Sequence, residues 1–102
     1  MINNIMYEIR TYFSHSQDIS YCTNIVKYEI PIDEVIDKFH AYINTVKTEL
    51  NREEYSYMIE TDIDIYLMEI KDNCMFPITI GIANLIKYGN GTLVDCGKYI
   101  TV

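Results

Sequence analysis

The hydrophobic pattern between Tyr55 and Met68 has a period of two. One set of alternating positions is aliphatic or aromatic at all but one place, and the other set contains the acids Glu60, Asp62 and Asp64. Because successive side chains of a β-strand point to opposite faces, this pattern predicts a strand with one buried and one solvated face. So long a strand also predicts a bulge or bend near Thr61. The chain is therefore constrained to a fold that contains a sheet with one polar face.

The first half of the chain predicts a β-hairpin followed by a long helix. Apolar and polar residues alternate over residues 5–13, a polar turn follows, and residues 19–30 are rich in β-branched and aromatic side chains. The two runs predict an antiparallel hairpin. Pro31 ends the second strand and can begin a helix, and the apolar residues after it recur at helical spacing. We predict a helix over residues 32–51.

The segment that follows the alternating run is compatible with either a helix or a strand. Pro77 at a first helical position, apolar residues three to four apart and Gly89 just past the end favour a helix. The β-branched run at residues 78–80 and the internal Gly81 favour a strand. We predict a short helix over residues 78–88.

A last strand is predicted over residues 92–102, which gives the element order β-β-α-β-α-β. No repeat, low-complexity tract or linker divides the sequence, so residues 1–102 are expected to form one domain. The predicted fold class is α+β: a single layered domain in which one long and one short helix pack on one face of a mostly antiparallel sheet.

Negative charge is concentrated in one segment of the chain. The formal net charge is −7 at pH 7, and residues 49–72 hold eight acids against two bases, Arg52 and Lys71. A surface of this charge attracts a basic partner. It disfavours direct binding of nucleic acid or of anionic lipid, because both require a positive surface.

The remaining composition predicts a cytoplasmic protein. The N-terminus lacks the basic start and apolar run of a signal peptide, and no uninterrupted apolar run reaches the roughly 18 residues of a membrane span. Cys22, Cys74 and Cys96 form neither a C-x-x-C pair nor a Cys/His cluster. We therefore expect reduced thiols that are at least partly buried, no structural zinc and no cofactor.

The acids Glu60, Asp62 and Asp64 allow four interpretations. A hard-cation site is disfavoured, because calcium loops need a glycine turn and closely bunched ligands. An acid–base pair needs one buried carboxyl and a cleft, and neither can be read from the sequence. The third interpretation is a solvated face that keeps the protein soluble. The fourth is a mimic of nucleic-acid charge whose carboxylates bind the Arg and Lys side chains of a partner.

The residues assigned to partner binding are acids and tyrosines of this segment. Tyrosine offers a large amphipathic contact area at low entropic cost, although the ten tyrosines equally reflect an AT-rich genome. No catalytic residue or metal ligand is assigned, since His15 and His40 are explained as surface residues. The partner-binding set is Glu53, Glu54, Tyr55, Tyr57, Glu60, Asp62, Asp64, Tyr66 and Glu69.

In size and charge the chain resembles the small inhibitors encoded by phages and mobile elements: anti-CRISPR proteins, antirestriction proteins and nuclease immunity proteins. This resemblance assigns no residue a role. It implies a non-enzymatic inhibitor that binds a basic nucleic-acid-handling protein and blocks its nucleic-acid site, without contacting nucleic acid or membrane itself. The alternatives are a small ligand-binding protein or enzyme with a site at a homodimer interface, and a self-assembling structural subunit.

Overall fold

A computed structural model of the chain describes residues 5–15, 21–53, 60–71, 78–88 and 91–97. In these ranges the chain forms five strands and one helix. In chain order they are β1 (Ile5–His15), β2 (Tyr21–Tyr28), α1 (Ile32–Leu50), β3 (Thr61–Lys71), β4 (Ile78–Lys87) and β5 (Leu93–Asp95). The described part of the chain contains no helix that is both long and apolar enough to cross a membrane.

The five strands form one antiparallel sheet in the order β2-β1-β3-β4-β5. β1 and β2 are the predicted hairpin, and β1 pairs on its other side with β3 along the whole of β3. The chain between β2 and β3 contains α1, so the helix connects strands that lie on the two sides of β1. β3 consequently occupies the centre of the sheet, with β4 and the short β5 beyond it.

The apolar residues of helix α1 recur at helical spacing and so line one face of the helix. The helix begins after Pro31, whose carbonyl oxygen accepts the N–H groups of Glu34 and Val35 at 3.0 and 3.1 Å. Acids occupy its first turn and Lys47 its last turn, which complements the helix dipole. Four side chains of α1 are buried against the sheet: Val35, Phe39, Ile43 and Leu50.

The core lies between α1 and one face of the sheet. The sheet supplies odd-numbered residues, because only alternate side chains of a strand point to the same face. These are Tyr7, Ile9, Ile63, Ile65, Leu67, Ala83 and Leu85. Thr11 is also buried there and shares a 2.8 Å hydrogen bond with the hydroxyl of Tyr42 on α1, which satisfies its polar group.

The connection from β4 to β5 is a tight turn. The N–H of Gly91 donates to the Tyr88 carbonyl and the N–H of Tyr88 donates to the Thr92 carbonyl, both at 2.9 Å. Gly91 has a φ of 92°, which glycine adopts without a steric penalty. The side chain of Lys87 is buried, and its Nζ donates to the Gly91 carbonyl at 3.1 Å. The turn thereby fixes β5 beside β4.

The α+β class, the hairpin and the long helix agree with the sequence prediction, but the predicted short helix over residues 78–88 is wrong: this segment is strand β4. The two faces of β4 are both largely apolar, with Ala83 and Leu85 in the core and Ile82 and Ile86 on the opposite face. Alternation is therefore hidden in the sequence, and the apolar spacing imitates a helix. The order is β-β-α-β-β-β over the described residues.

Two further strand predictions differ from the structure, and part of each of those strands lies outside the described residues. The β3–β1 register is continuous from Thr61, and the irregularity of β3 lies at Leu67/Met68 in its pairing with β4, not near Thr61. The last strand, expected over residues 92–102, is the three-residue β5, and residues 98–102 lie outside the described ranges. Residues 54–59 of the expected long strand also lie outside them.

Gly97 lies against the backbone of β4. A Cβ at this position would be 2.5 Å from the backbone nitrogen of Asn84 and 2.8 Å from the Cα of Ala83. We therefore expect Gly97→Ala to push the chain away from β4 and to lower the free energy of unfolding by about 1–3 kcal/mol in urea denaturation. The control Val94→Ala shortens an exposed side chain of β5 and should change it by about 0.5 kcal/mol or less. A Gly97→Ala variant as stable as the control would contradict this packing.

Candidate functional site

The sheet face opposite α1 is here called the open face. Within the described residues no helix packs against it. Its members follow from the strand register, since cross-strand partners point to the same side of a sheet. They are Met6, Glu8, Arg10, Tyr12 and Ser14 of β1; Ile25 and Lys27 of β2; Asp62, Asp64, Tyr66, Met68 and Ile70 of β3; Thr79, Ile82, Asn84 and Ile86 of β4; and Val94 of β5.

The open face carries apolar side chains in contact with solvent. Three large hydrophobic residues are exposed in the described part of the chain: Ile25 at 47 %, Ile82 at 36 % and Val94 at 37 %. All three belong to the open face. The exposed large hydrophobic residues of the described chain thus all lie on the side of the sheet away from α1.

Two aspartates share one amide on this face. Asp62 and Asp64 are half-buried, and Asp64 lies directly opposite Asn84 in the β3–β4 register. The Nδ2 of Asn84 donates to the Oδ1 of Asp64 at 2.7 Å and also to the Oδ1 of Asp62. In the described ranges neither carboxylate forms an ion pair. The pair therefore keeps its negative charge available to a partner.

Burial raises the pKa of Asp64 above its ordinary value. Loss of water around the carboxylate is the largest cause; the Asn84 hydrogen bond opposes the rise, and the charge of Asp62 adds to it. The folded state thus holds this proton more tightly than the unfolded state does. The stabilisation that Asp64 gives below its ordinary pKa is lost as the pH rises through the raised pKa.

We expect Asp64→Asn to make the fold more stable relative to the unsubstituted protein at pH 7 than at pH 3.5. The variant lacks the titrating group, so the difference between the two unfolding free energies reports the titration of Asp64 together with its interaction with Asp62. Urea denaturation of both proteins at about pH 3.5, below the ordinary aspartate pKa, and at about pH 7 measures it. A difference that is constant with pH, or that changes in the opposite direction, would show that the pKa is not raised.

Two tyrosines stand beside the aspartates. The rings of Tyr12 and Tyr66 meet edge to face, with centroids 5.5 Å apart and planes at 85°. Burial raises the pKa of the Tyr66 hydroxyl, and the charge of Asp64 is the next cause. Tyr66 therefore stays protonated and neutral at physiological pH.

Arg10 is already neutralised within the open face. Its guanidinium hydrogen-bonds the Tyr12 side chain and Glu8, and these contacts raise its pKa. Its Nε and NH2 both lie 2.7 Å from the Oε1 of Glu8, whose side chain is almost fully buried. Arg10 and Glu8 therefore offset each other. Among the described residues of the open face, the remaining charges are those of Asp62 and Asp64 and that of Lys27, which lies on β2 opposite Glu8.

A pocket of about 280 Å³ opens between these groups. It is lined by Tyr12, Asp64, Tyr66, Met68 and Thr79, which come from β1, β3 and β4. Antiparallel pairing places these side chains together, since Tyr12 is opposite Asp64 and Thr79 is opposite Met68. The pocket therefore combines aromatic and thioether surface with one carboxylate.

The structure brings together only part of the partner-binding set predicted from sequence. Asp62, Asp64 and Tyr66 share the open face. Glu60 is exposed immediately before β3, and Glu53 is exposed after α1. Glu69 points to the α1 side of the sheet, where its charge contributes to the raised pKa of Tyr7. The other three members, Glu54, Tyr55 and Tyr57, lie outside the described residues.

Tyr12, Asn84 and Ile82 belong to the site, although the sequence analysis did not assign them to it. Tyr12 could have been predicted from the sequence, because Glu8, Arg10 and Tyr12 are alternate residues of β1 and therefore share its polar face. Asn84 and Ile82 could not, because the β4 segment was predicted to be a helix.

The other chemically active side chains do not add to this site. His40 lies on α1 with its ring 5.9 Å from that of Phe39. Cys96 is exposed, so the expected partial burial is wrong for this thiol, while Cys74 and the side chain of Cys22 are not described. No group of three or more His, Cys, Asp or Glu side chains that could hold a metal occurs among the described residues.

Comparison of the chain with protein-family models, with curated proteins and with solved structures found no match. The function is therefore argued from the open face alone.

Proposed function

We propose that the chain is a non-enzymatic inhibitor that binds a basic, nucleic-acid-handling protein through the open face and blocks its nucleic-acid site. The observation that carries the proposal is the presence of Asp62 and Asp64, without a cation partner in the described ranges, on the same face as the exposed Ile25, Ile82 and Val94. Interfaces between proteins combine such an apolar surface with charges that select the partner.

The charge of the face favours a basic partner. The like charges of Asp62 and Asp64 repel each other, and this repulsion contributes to the raised pKa of Asp64. Arg or Lys side chains of a partner would offset the repulsion and form charge-assisted hydrogen bonds. A nucleic-acid site supplies such cations at high density, because it is built to neutralise phosphates. Binding there would occupy the Arg and Lys side chains that otherwise contact nucleic acid. The attraction between these cations and the carboxylates would also increase the rate of association.

The pocket gives a specific reason to keep the alternative of a small ligand-binding protein. This alternative predicts a pocket that holds His40, a cysteine or Arg10, and none of these is among the five residues that line the observed pocket. The pocket instead belongs to the open face and is lined by residues of one chain. The pocket thus supports a small ligand-binding protein as the second proposal, with the site in one chain rather than at a dimer interface.

Affinity capture tests the inhibitor proposal. The protein is immobilised and exposed to a nuclease-treated lysate of the organism that carries the gene, and bound proteins are eluted with a salt gradient. We expect a basic nucleic-acid-binding protein that elutes only at raised salt and that added nucleic acid displaces. In a gel-shift assay the chain should then prevent this protein from binding nucleic acid. Retention of no protein, or of one insensitive to salt and nucleic acid, would contradict the proposal.

A further inference from the structure

The pocket on the open face has the composition of a site for an organic cation. The Tyr12 and Tyr66 rings stand at 85° to each other, so the pocket borders two differently oriented aromatic surfaces. Met68 adds a polarisable sulfur atom, and Asp64 adds a carboxylate. Aromatic faces attract cations through the ring quadrupole, and a carboxylate at the same place supplies the counter-charge.

Asp64 retains capacity to bind a ligand. A carboxylate has two oxygens with about four acceptor sites, and among the described contacts Asn84 uses one of them on Oδ1. Its surroundings are negative: Asp62 lies on the same strand face, and Arg10 is offset by Glu8. An anionic ligand would meet this charge, whereas a cation would compensate it.

The size and shape of the pocket favour a single side chain. At about 280 Å³ it lies at the lower end of the range of about 300–1,000 Å³ that holds drug-sized ligands and cofactors, which leaves room for one arginine side chain. A guanidinium group is planar and weakly hydrated, so it can stack on a tyrosine ring while its N–H fork meets a carboxylate. An ammonium group forms no such stack.

We infer that this pocket binds the guanidinium group of an arginine side chain presented by the protein partner. The inference rests on the proposed function, which it deepens by naming the anchoring residue type. The arginine lies against Tyr12 or Tyr66 and donates to Asp64, while the apolar residues around the pocket contact the partner's surface.

Titration of the ¹⁵N-labelled chain with Nα-acetyl-arginine amide tests the pocket directly. We expect saturable amide shifts at Asp64, Tyr66 and Met68, with a Kd of about 1 mM. The matched probe is Nα-acetyl-citrulline amide, which has nearly the same shape but no charge and should bind about tenfold more weakly. Equal binding of both probes, shifts confined to other residues or no binding would each overturn the inference.

Variants separate a role in binding from a role in folding. Asp64→Asn should weaken arginine binding about tenfold, and Tyr66→Leu about fivefold. The matched control is Glu60→Gln, which removes one negative charge from an exposed residue outside the pocket and should leave binding within about twofold. Each variant is compared only after its spectrum shows the dispersion of the folded chain. If Glu60→Gln and Asp64→Asn weakened arginine binding equally, the binding would depend on the net charge of the chain and not on the pocket, which would overturn the inference.

Competition with the captured partner distinguishes this inference from the proposed function. The arginine probe should release the partner, and the citrulline probe should not. If the probe binds the pocket but does not release the partner, the pocket is a site for a small cation and the inference fails. If arginine does not bind, but the captured partner still loses nucleic acid, the inference fails while the inhibitor function stands.

Discussion

Replacing Phe39 by alanine is expected to lower the free energy of unfolding by about 3–5 kcal/mol. Phe39 has no exposed surface and lies near the middle of α1, between the helix and the core face of the sheet. The substitution removes its transfer free energy and leaves a cavity that the surrounding strands can fill only in part. Since domains are stable by about 5–15 kcal/mol, this single change should remove a large share of the total. Urea denaturation followed by circular dichroism measures it.

Two controls make the Phe39 result specific. Lys38→Ala changes the neighbouring, exposed residue and should alter the unfolding free energy by about 0.5 kcal/mol or less. Phe39→Leu keeps most of the buried volume and should cost clearly less than Phe39→Ala. If Phe39→Ala were as stable as Lys38→Ala, α1 would not cover this face of the sheet, and the assignment of the open face to the other side would be wrong.

The second large effect is expected on binding. The double change Asp62→Asn and Asp64→Asn should weaken binding of the captured partner about 100-fold or more, because it leaves the partner's cations buried without counter-charges. The substitutions keep the shape of both side chains, and Asn84 can still bond to the new amides. Isothermal titration calorimetry with the purified partner measures the change.

The matched control for this experiment is the double change Glu53→Gln and Glu60→Gln. It removes the same amount of charge from two exposed acids of the predicted set that lie outside the paired strand residues, one after α1 and one before β3. We expect about threefold weaker binding, as for charges at the rim of an interface. If both double variants weaken binding equally, the partner responds to the net charge of the acidic segment and the open face is not its binding surface.

The sequence predicts well those elements in which one face is apolar and buried and the other is polar and in contact with solvent. In α1 the apolar stripe faces the sheet, and in β3 Ile63 and Ile65 face the core while Asp62 and Asp64 face away. Each pattern therefore reveals its own period. β4 could not be recognised in this way, because it has apolar residues on both faces: Ala83 and Leu85 in the core, and Ile82 and Ile86 on the open face.

The sequence predicts only those members of the candidate site that alternate along a single strand. Alternation alone places Asp62, Asp64 and Tyr66 together, and it also separates Glu69, an odd-numbered position, from them. The neighbours across the sheet depend on register: Tyr12 lies opposite Asp64 from one side and Asn84 from the other. That register results from the pairing of β3 with β1, which is distant in sequence, and with β4, so the pocket and the shared amide could not be read from a single segment.

Methyl NMR of the isoleucine-labelled chain bound to the captured partner shows which side of the protein the partner contacts. Isoleucines report on both sides of the molecule: Ile82 and Ile86 lie on the open face, whereas Ile36 lies on α1 and Ile43 in the core. The account predicts that partner binding shifts or broadens the methyl signals of Ile82 and Ile86 and leaves those of Ile36 and Ile43 unchanged. Perturbation of Ile36 with unchanged open-face methyls would contradict it, because the partner would then bind the helical side of the protein.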